Sequence, residues 1–129
     1  MKSIVFLALV VLGLFIFDSP ASAPQPKETV QKVWTKEDSR AYARDRLSVW
    51  QEQQWSCLNR LWGKESAWNP RAFNTVKVMG KNAGGIPQLL GLDPKTPATI
   101  QIERGLKYIY YRYGTPCKAW RFFERNRYY

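Results

Sequence analysis

The segment that most constrains the fold of this chain is residues 57–70, CLNRLWGKESAWNP. Leu58, Leu61 and Trp62 recur at the spacing of one face of an α-helix, so the segment predicts a short helix that packs this face inward. Glu65 follows on the next turn, which places its carboxyl group at the edge of the same face. The Asn-Pro pair that closes the segment is expected to end the helix, because the residue before a proline disfavours helical angles.

The position of Glu65 predicts a carboxyl group with a raised pKa. The C-terminal end of a helix carries a partial negative charge, which disfavours a second negative charge there. Trp62 and Trp68 are close to Glu65 in the sequence, and their apolar rings would keep water away from a carboxylate. A carboxyl group that holds its proton near neutral pH is suited to general acid catalysis. The alternative is a solvated surface glutamate.

Residues 1–23 have the organisation of a secretory signal peptide. Lys2 gives a positive start, residues 4–17 form an apolar run, and residues 21–23 (Ala-Ser-Ala) form a small-residue cleavage site. The apolar run is shorter than the stretch of about 20 residues that spans a membrane comfortably. We therefore expect a secreted or cell-wall-associated protein without stable membrane insertion beyond this segment. The alternatives are cleavage after Ala21 and retention of the segment as an N-terminal anchor.

The cysteine and histidine content narrows the chemistry. The chain has two cysteines, Cys57 and Cys117, and no histidine. In an oxidising compartment the two thiols would most simply pair, closing a loop of about 60 residues that contributes roughly 4 kcal/mol in the chain-entropy model. Two buried free thiols are the alternative. The lack of histidine excludes Ser-His and Cys-His catalytic sites and histidine zinc sites, and we expect neither a metal nor another cofactor.

The charge of the chain indicates the kind of partner. With 20 basic and 10 acidic residues, the formal charge is +10. An excess of positive charge in an exported, aromatic-rich protein favours a polyanionic partner. Export makes nucleic acid a poorer match than the bacterial cell wall, so we expect a monomer that binds peptidoglycan glycan strands and no nucleic acid. The alternative is that the charge serves solubility alone.

Periodicity predicts an all-α domain of four to five short helices with one disulfide over residues 35–129, preceded by a flexible linker at residues 24–34. Residues 67–85 contain many Gly and Asn residues and are expected to form a loop. The first expected helix covers about 35–54 and has the inner stripe Ala43, Leu47 and Trp50, and the second is capped by Ser56. A helical turn is expected near 85–90. A helix over about 97–113, capped by Thr96 and ended by Gly114, and a last helix over about 116–124 complete the expected domain.

A glutamate that cleaves sugar polymers usually works with a second carboxylate on the other side of the scissile bond. Glu65 has no evident partner in the sequence, and Asp93 and Glu103 are candidates by availability only. A single acid suffices when the 2-acetamido group of an amino sugar shields the positive charge that develops on the ring. One glutamate then acts first as an acid and later as a base.

Three short motifs occur in the order seen in one known family. They are Glu65-Ser66, Gly85-Ile86-Pro87-Gln88, and the Gln-Ile-x-x-Gly-x-x-Tyr-Ile pattern of residues 101–109. In this order and spacing, over about residues 54–129, the chain resembles the soluble lytic transglycosylase-like domains of the goose-type lysozyme superfamily. The resemblance implies a lysozyme-like domain that cleaves the β-1,4 bond between MurNAc and GlcNAc in peptidoglycan and leaves 1,6-anhydroMurNAc ends.

The resemblance also implies roles for the residues in the first two motifs. Glu65 would be the catalytic acid and base. Ser66 would orient the substrate or Glu65. Gly85 would let the glycan approach the backbone, and Ile86 and Gln88 would line the cleft.

Two aromatic residues complete the site that the resemblance implies. Tyr108 would lie near the catalytic carboxyl group and fix its rotamer, or would only pack against the second helix. Where the family has Ala-Tyr-Asn, this chain has Ala-Trp-Arg around Trp120. Trp120 would replace that tyrosine as an N–H donor, serve as a platform for a sugar, or belong to the core.

Two other functions remain open at this stage. A muramidase-type hydrolase would use the same residues with water as the attacking group. A non-catalytic cationic cell-wall-binding protein would keep the fold but would not depend on Glu65, and its binding would weaken at high salt.

Overall fold

The computed structural model describes residues 33–47 and 52–129. In chain order the elements are α1 (Lys36–Arg46), α2 (Glu52–Ser66), β1 (Phe73–Val78), β2 (Lys81–Gly84), β3 (Leu89–Leu90), α3 (Ala98–Tyr113) and α4 (Pro116–Asn126). The predicted signal peptide at 1–23 and the predicted linker as far as residue 32 lie outside the described residues. No helix in the described ranges is long and apolar enough to cross a membrane.

The prediction of an all-α domain is wrong, because residues 73–90 form a three-stranded antiparallel sheet in the order β1-β2-β3. Two features of the sequence hide this sheet. Every residue of β1 is exposed, so the strand has no need of the apolar-polar alternation that marks a half-buried strand. The β1–β2 turn is Met79-Gly80, with φ values of 52° and 76°, in place of the Asn-Gly pair that usually signals such a turn.

The second helix is longer than predicted at its N-terminal end. Ser56, the predicted N-cap, lies inside α2, which begins at Glu52. The residues before Ser56 include glutamate and glutamines, which favour helix. Trp55 also packs against Trp68, with ring centroids 5.7 Å apart, which gives the additional turn a tertiary contact.

The first helix, predicted to run to about residue 54, ends at Arg46, and residues 52–54 belong to α2. The other helices differ from prediction at their ends. The cap predicted at Thr96 is wrong, since α3 follows Pro97, which makes no side-chain cap hydrogen bond. The end predicted at Gly114 is confirmed, with φ at 86°. In the first helix, the predicted inner residues Ala43 and Leu47 are buried, whereas Trp50 falls outside the described residues.

The core is built around Trp62, which is fully buried on α2 together with Leu58 and Leu61, as their spacing predicts. The ring of Trp62 packs edge-on against Trp68, with centroids 5.3 Å apart. Helix α3 passes so close that a Cβ atom at Gly105 would lie 2.5 Å from the Trp62 ring. The remaining core residues include Ile86, Ile102, Leu106, Ile109, Ala119 and Phe123.

A disulfide joins two of the helices, and a buried glutamine joins α3 to the loops around the sheet. The predicted disulfide Cys57–Cys117 is confirmed and joins α2 to α4. Gln101 is fully buried on α3, where its Oε1 accepts a hydrogen bond of 2.8 Å from the N–H of Ile86. Its Nε2 donates to the carbonyl oxygens of Pro70 and Thr96, so a single side chain ties together three separate loop segments.

Candidate active site

Glu65 lies in the last turn of α2, and the chain leaves this helix by an unusual route. Ala67 and Trp68 have φ values of 51° and 59°, which are uncommon for residues with a side chain. The N–H of Trp68 donates to the carbonyl oxygen of Trp62, and the Trp68 side chain is fully buried. The exit turn therefore returns the chain to the core just after Glu65, and the Glu65 side chain lies partly buried at the boundary between core and solvent.

Burial raises the pKa of Glu65 to about 7. Within the described residues, no side chain pairs with the carboxylate or hydrogen-bonds to it, so its charge gains nothing there to offset the loss of water. The predicted rise in the pKa is confirmed, with desolvation as the cause. At neutral pH the protonated and ionised forms are about equally populated, which suits a group that acts as both acid and base.

Glu65 lines one lobe of a two-lobed cleft beside the sheet. The Glu65 lobe has a volume of ≈ 380 Å³, and the adjoining Arg112 lobe has a volume of ≈ 460 Å³. Both lobes are lined by Val78, Gln88, Leu90, Tyr128 and Tyr129. The Glu65 lobe is completed by Asn74, Ala83 and Arg127, and the Arg112 lobe by Met79, Leu89 and Tyr108.

Tyr129 forms part of the wall near Glu65, and the sequence analysis missed it. Its hydroxyl accepts a hydrogen bond of 2.8 Å from Trp62 Nε1 and donates one of 2.7 Å to the carbonyl oxygen of Pro87. Burial raises the pKa of Tyr129 well above its usual value, and the negative charge of Glu65 adds to the rise. Because its proton is already donated to Pro87, Tyr129 serves to shield Glu65 from water. The aromatic-rich end of the chain was the only signal for this role in the sequence.

Ser66, Gly85 and Ile86 lie behind the cleft. Ser66 Oγ donates a hydrogen bond of 2.7 Å to the carbonyl oxygen of Ile86, so it fastens the end of α2 to the turn after β2. Ile86 is fully buried in the core. Gly85 is also buried, with φ at 74°, and a Cβ atom there would collide with the side chain of Gln101. None of the three lines either lobe of the cleft.

Gln88 lines both lobes of the cleft. Its Nε2 donates to the carbonyl oxygens of Gly85 and Ala72, at 3.0 and 3.3 Å. These bonds give the polar side chain a structural task in addition to its place in the cleft. They hold the turn at residues 85–88 against the chain that leads into β1.

The two predicted aromatic residues occupy different places. Tyr108 lines the Arg112 lobe and packs edge-on against Tyr129, with ring centroids 5.6 Å apart. Tyr108 and Glu65 both lie in the part of the chain that the structure describes, and no hydrogen bond joins their side chains. Trp120 stacks on Phe123 at 5.6 Å against the core and lines neither lobe, so its position favours the core alternative.

A bulge in β1 contributes a further residue that the sequence analysis missed. The register of the β1–β2 pair shifts between Phe73 and Lys77. Asn82 Nδ2 donates to the carbonyl oxygens of Asn74 and Thr75 and so stabilises the bulged backbone. Bulges commonly redirect side chains next to binding sites, and here Asn74 lines the Glu65 lobe.

Neither candidate for a second carboxylate joins Glu65. Asp93 lies in a separate surface depression with Lys77 and Lys81. Glu103 pairs with Arg46 at 2.8 Å and accepts a hydrogen bond from Tyr42. Among the described residues, Glu65 is the one acidic side chain lining either lobe, and no group of three or more potential ligands is placed to hold a metal ion.

Comparisons with models of protein families, with curated proteins and with solved structures find no match to this chain. The function proposed below therefore depends on the residues and geometry of the cleft, together with the resemblance of the three short motifs.

Proposed function

We propose that this protein is a lytic transglycosylase that cleaves the β-1,4 bond between MurNAc and GlcNAc in peptidoglycan. The observation that carries the proposal is a single desolvated carboxyl group, Glu65 with a pKa of about 7, as the one acidic side chain among the described residues lining the cleft. Enzymes with two catalytic carboxylates hold them about 5 to 10 Å apart across the scissile bond. Asp93 and Glu103 lie outside the cleft, so the arrangement favours the mechanism that needs one acid. The predicted signal peptide agrees with a substrate outside the cytoplasm.

In the proposed reaction, protonated Glu65 donates its proton to the glycosidic oxygen, and the bond between that oxygen and C1 of MurNAc breaks. The 2-acetamido group of MurNAc shields the positive charge that develops at C1. The Glu65 carboxylate then removes the proton from the C6 hydroxyl of the same sugar, and O6 bonds to C1. The anhydro ring closes, Glu65 regains its proton, and no water is consumed.

Whether water or the substrate's own hydroxyl attacks C1 depends on the polar groups around Glu65, which in its lobe include Asn74 and Arg127 as well as Tyr129 and Gln88. A hydrolase needs a water molecule held next to C1 by polar groups with free donors or acceptors. The hydroxyl proton of Tyr129 is donated to Pro87, and the amide nitrogen of Gln88 is bonded to backbone carbonyls. These two polar groups are therefore engaged, whereas the C6 hydroxyl belongs to the substrate and arrives already positioned.

The test is digestion of purified peptidoglycan, with the products read by mass spectrometry. Wild-type protein is expected to release anhydro-ended muropeptides. Glu65→Gln keeps the shape of the side chain but has no proton to donate, so the rate is expected to fall by about 10² to 10⁴. Glu124→Gln is the matched control, because Glu124 is exposed on α4 and lines neither lobe, and its activity should equal that of wild type.

The other outcomes identify the alternatives. Reducing-end products that depend on Glu65 would indicate a muramidase-type hydrolase. Tight, salt-sensitive binding without cleavage by the wild type would indicate a non-catalytic cell-wall-binding protein.

A further inference from the structure

The Arg112 lobe contains a positive charge without a counter-ion among the described residues. Arg112 is exposed on α3, with its guanidinium 5.8 Å from the centre of the Tyr108 ring and 5.5 Å from that of Tyr113. The ion pairs of the described chain lie elsewhere, at Arg40–Glu37, Arg44–Glu52 and Arg46–Glu103. The two rings restrict the guanidinium, and its contact with the Tyr113 hydroxyl leaves most of its five N–H donors for an anionic ligand.

The Glu65 lobe has a second cation. Arg127 follows α4 in a left-handed conformation, with φ at 63°, and lines this lobe. No described acidic residue forms an ion pair with it. Since Glu65 is uncharged whenever it is ready to act as an acid, the cleft as a whole attracts negative charge.

We propose that the Arg112 lobe binds a carboxylate on the peptide stem of the glycan, so that the cleft selects strands that carry stems over bare sugar strands. This inference rests on the proposed function. In peptidoglycan the stem is attached to MurNAc, the sugar whose C1 reacts at Glu65. The Arg112 lobe shares five lining residues with the Glu65 lobe and so offers a neighbouring pocket for a branch from that sugar: Val78, Gln88, Leu90, Tyr128 and Tyr129.

The chemistry of the lobe fits a carboxylate. A guanidinium donates two parallel hydrogen bonds to the two oxygens of a carboxylate, a geometry that an ammonium group lacks. Tyr128, Met79 and Leu89 supply apolar surface around this charge, against which the aliphatic parts of a peptide would pack. Arg112 is therefore a specificity-determining residue in this proposal, separate from the chemistry at Glu65.

The experiment measures binding in the Glu65→Gln background, so that no ligand is cleaved during the titration. Three soluble glycan fragments of equal length are compared by calorimetry: one with its peptide stems, one with the stem carboxylates converted to amides, and one without stems. We expect Arg112→Gln to weaken binding of the first fragment by roughly fivefold, as for a partly exposed ion pair, and to leave the other two nearly unchanged. Arg112→Lys should keep part of the preference, since it keeps the charge but loses the paired hydrogen bonds.

Arg104→Gln is the matched control, because Arg104 is exposed on the same helix and lines neither lobe. An equal loss for all three fragments, or no loss for any, would overturn the proposal. A second measurement does not depend on the folding of an Arg112 variant: if the Glu65→Gln protein alone binds the carboxylate and amide fragments equally, the proposal is wrong. If the carboxylate fragment is preferred but the wild-type protein cleaves no peptidoglycan, the proposed transglycosylase activity is wrong and the proposed anion site stands.

Discussion

The helical part of the molecule and its sheet are held in place by different forces. On α2, Leu58, Leu61 and Trp62 are fully buried. In the sheet, Phe73 is 54% exposed and Val76 is 66% exposed. Burial of apolar surface therefore stabilises the helices, whereas the sheet adds little to the core, and the hydrogen bonds of Gln101 and Ser66 fasten the loops that flank its strands. The cleft lies beside both, with Glu65 on the buried, helical side and much of the lining on the exposed side.

This comparison can be tested most directly by making one substitution in each part. Leu61→Ala on α2 removes a fully buried side chain and should lower the free energy of unfolding by about 3 kcal/mol. Leu90→Ala on β3 removes a side chain that is 44% exposed and should cost less than about 1 kcal/mol. Denaturant unfolding of both variants measures the difference. Equal losses would contradict the distinction between the two parts.

Gln101 tests the junction between them. Gln101→Ala leaves the buried N–H of Ile86 and the carbonyl oxygens of Pro70 and Thr96 without their partner. We expect a loss of about 2 to 3 kcal/mol and faster hydrogen exchange in residues 73–90, because one side chain supports the loops on either side of the sheet. Gln53→Ala on the exposed face of α2 is the control and should change neither quantity. Slower or unchanged exchange in the sheet would show that other contacts hold it.

Glu65 should impose a pH dependence on the stability of the fold. Burial raises the pKa of Glu65 from its ordinary value of 4.5, which applies in the unfolded chain, to about 7 in the folded protein, so the folded state binds the proton more tightly. The stability from this group is fully present below about pH 4.5 and is lost as the pH rises through about 7. At about pH 8, Glu65→Gln should therefore be more stable than wild type by about 1 to 3 kcal/mol, after allowance for partial exposure.

Thermal unfolding at several pH values checks this expectation. The difference between wild type and Glu65→Gln should disappear near about pH 4, where the carboxyl group is protonated in both states. Glu124→Gln should show no comparable trend. A constant difference at every pH would mean that the substitution acts through packing and not through the charge.

Prediction from the sequence succeeded where the signal was local. The inward face of α2, the end of α3 at Gly114 and the raised pKa of Glu65 all follow from residues within a few positions of one another. The disulfide was predicted because the chain has two cysteines and a signal peptide, not because of their surroundings. The sheet was missed because its exposed residues show no pattern that burial would impose.

The parts of the site that the sequence did not reveal depend on contacts between distant residues. Tyr129 and Trp62 are 67 positions apart, yet their hydrogen bond holds the wall near Glu65. Gln88 belongs to the second of the three motifs and Arg112 to none of them, and only the fold places the two residues in one cleft.

By itself, the sequence determined which segments form helices and which faces of them are buried, because these properties repeat with the period of the helix. For the same reason it placed Glu65 at the edge of the buried face of α2. The tertiary structure decided the rest: which side chains surround the acid, that no second described carboxylate lines its cleft, and that a cationic lobe adjoins it. The physical reason is that a residue's neighbours along a helix are fixed by local geometry. Its neighbours across a cleft are fixed by how buried groups such as Trp62 and Gln101 satisfy their packing and hydrogen bonds together.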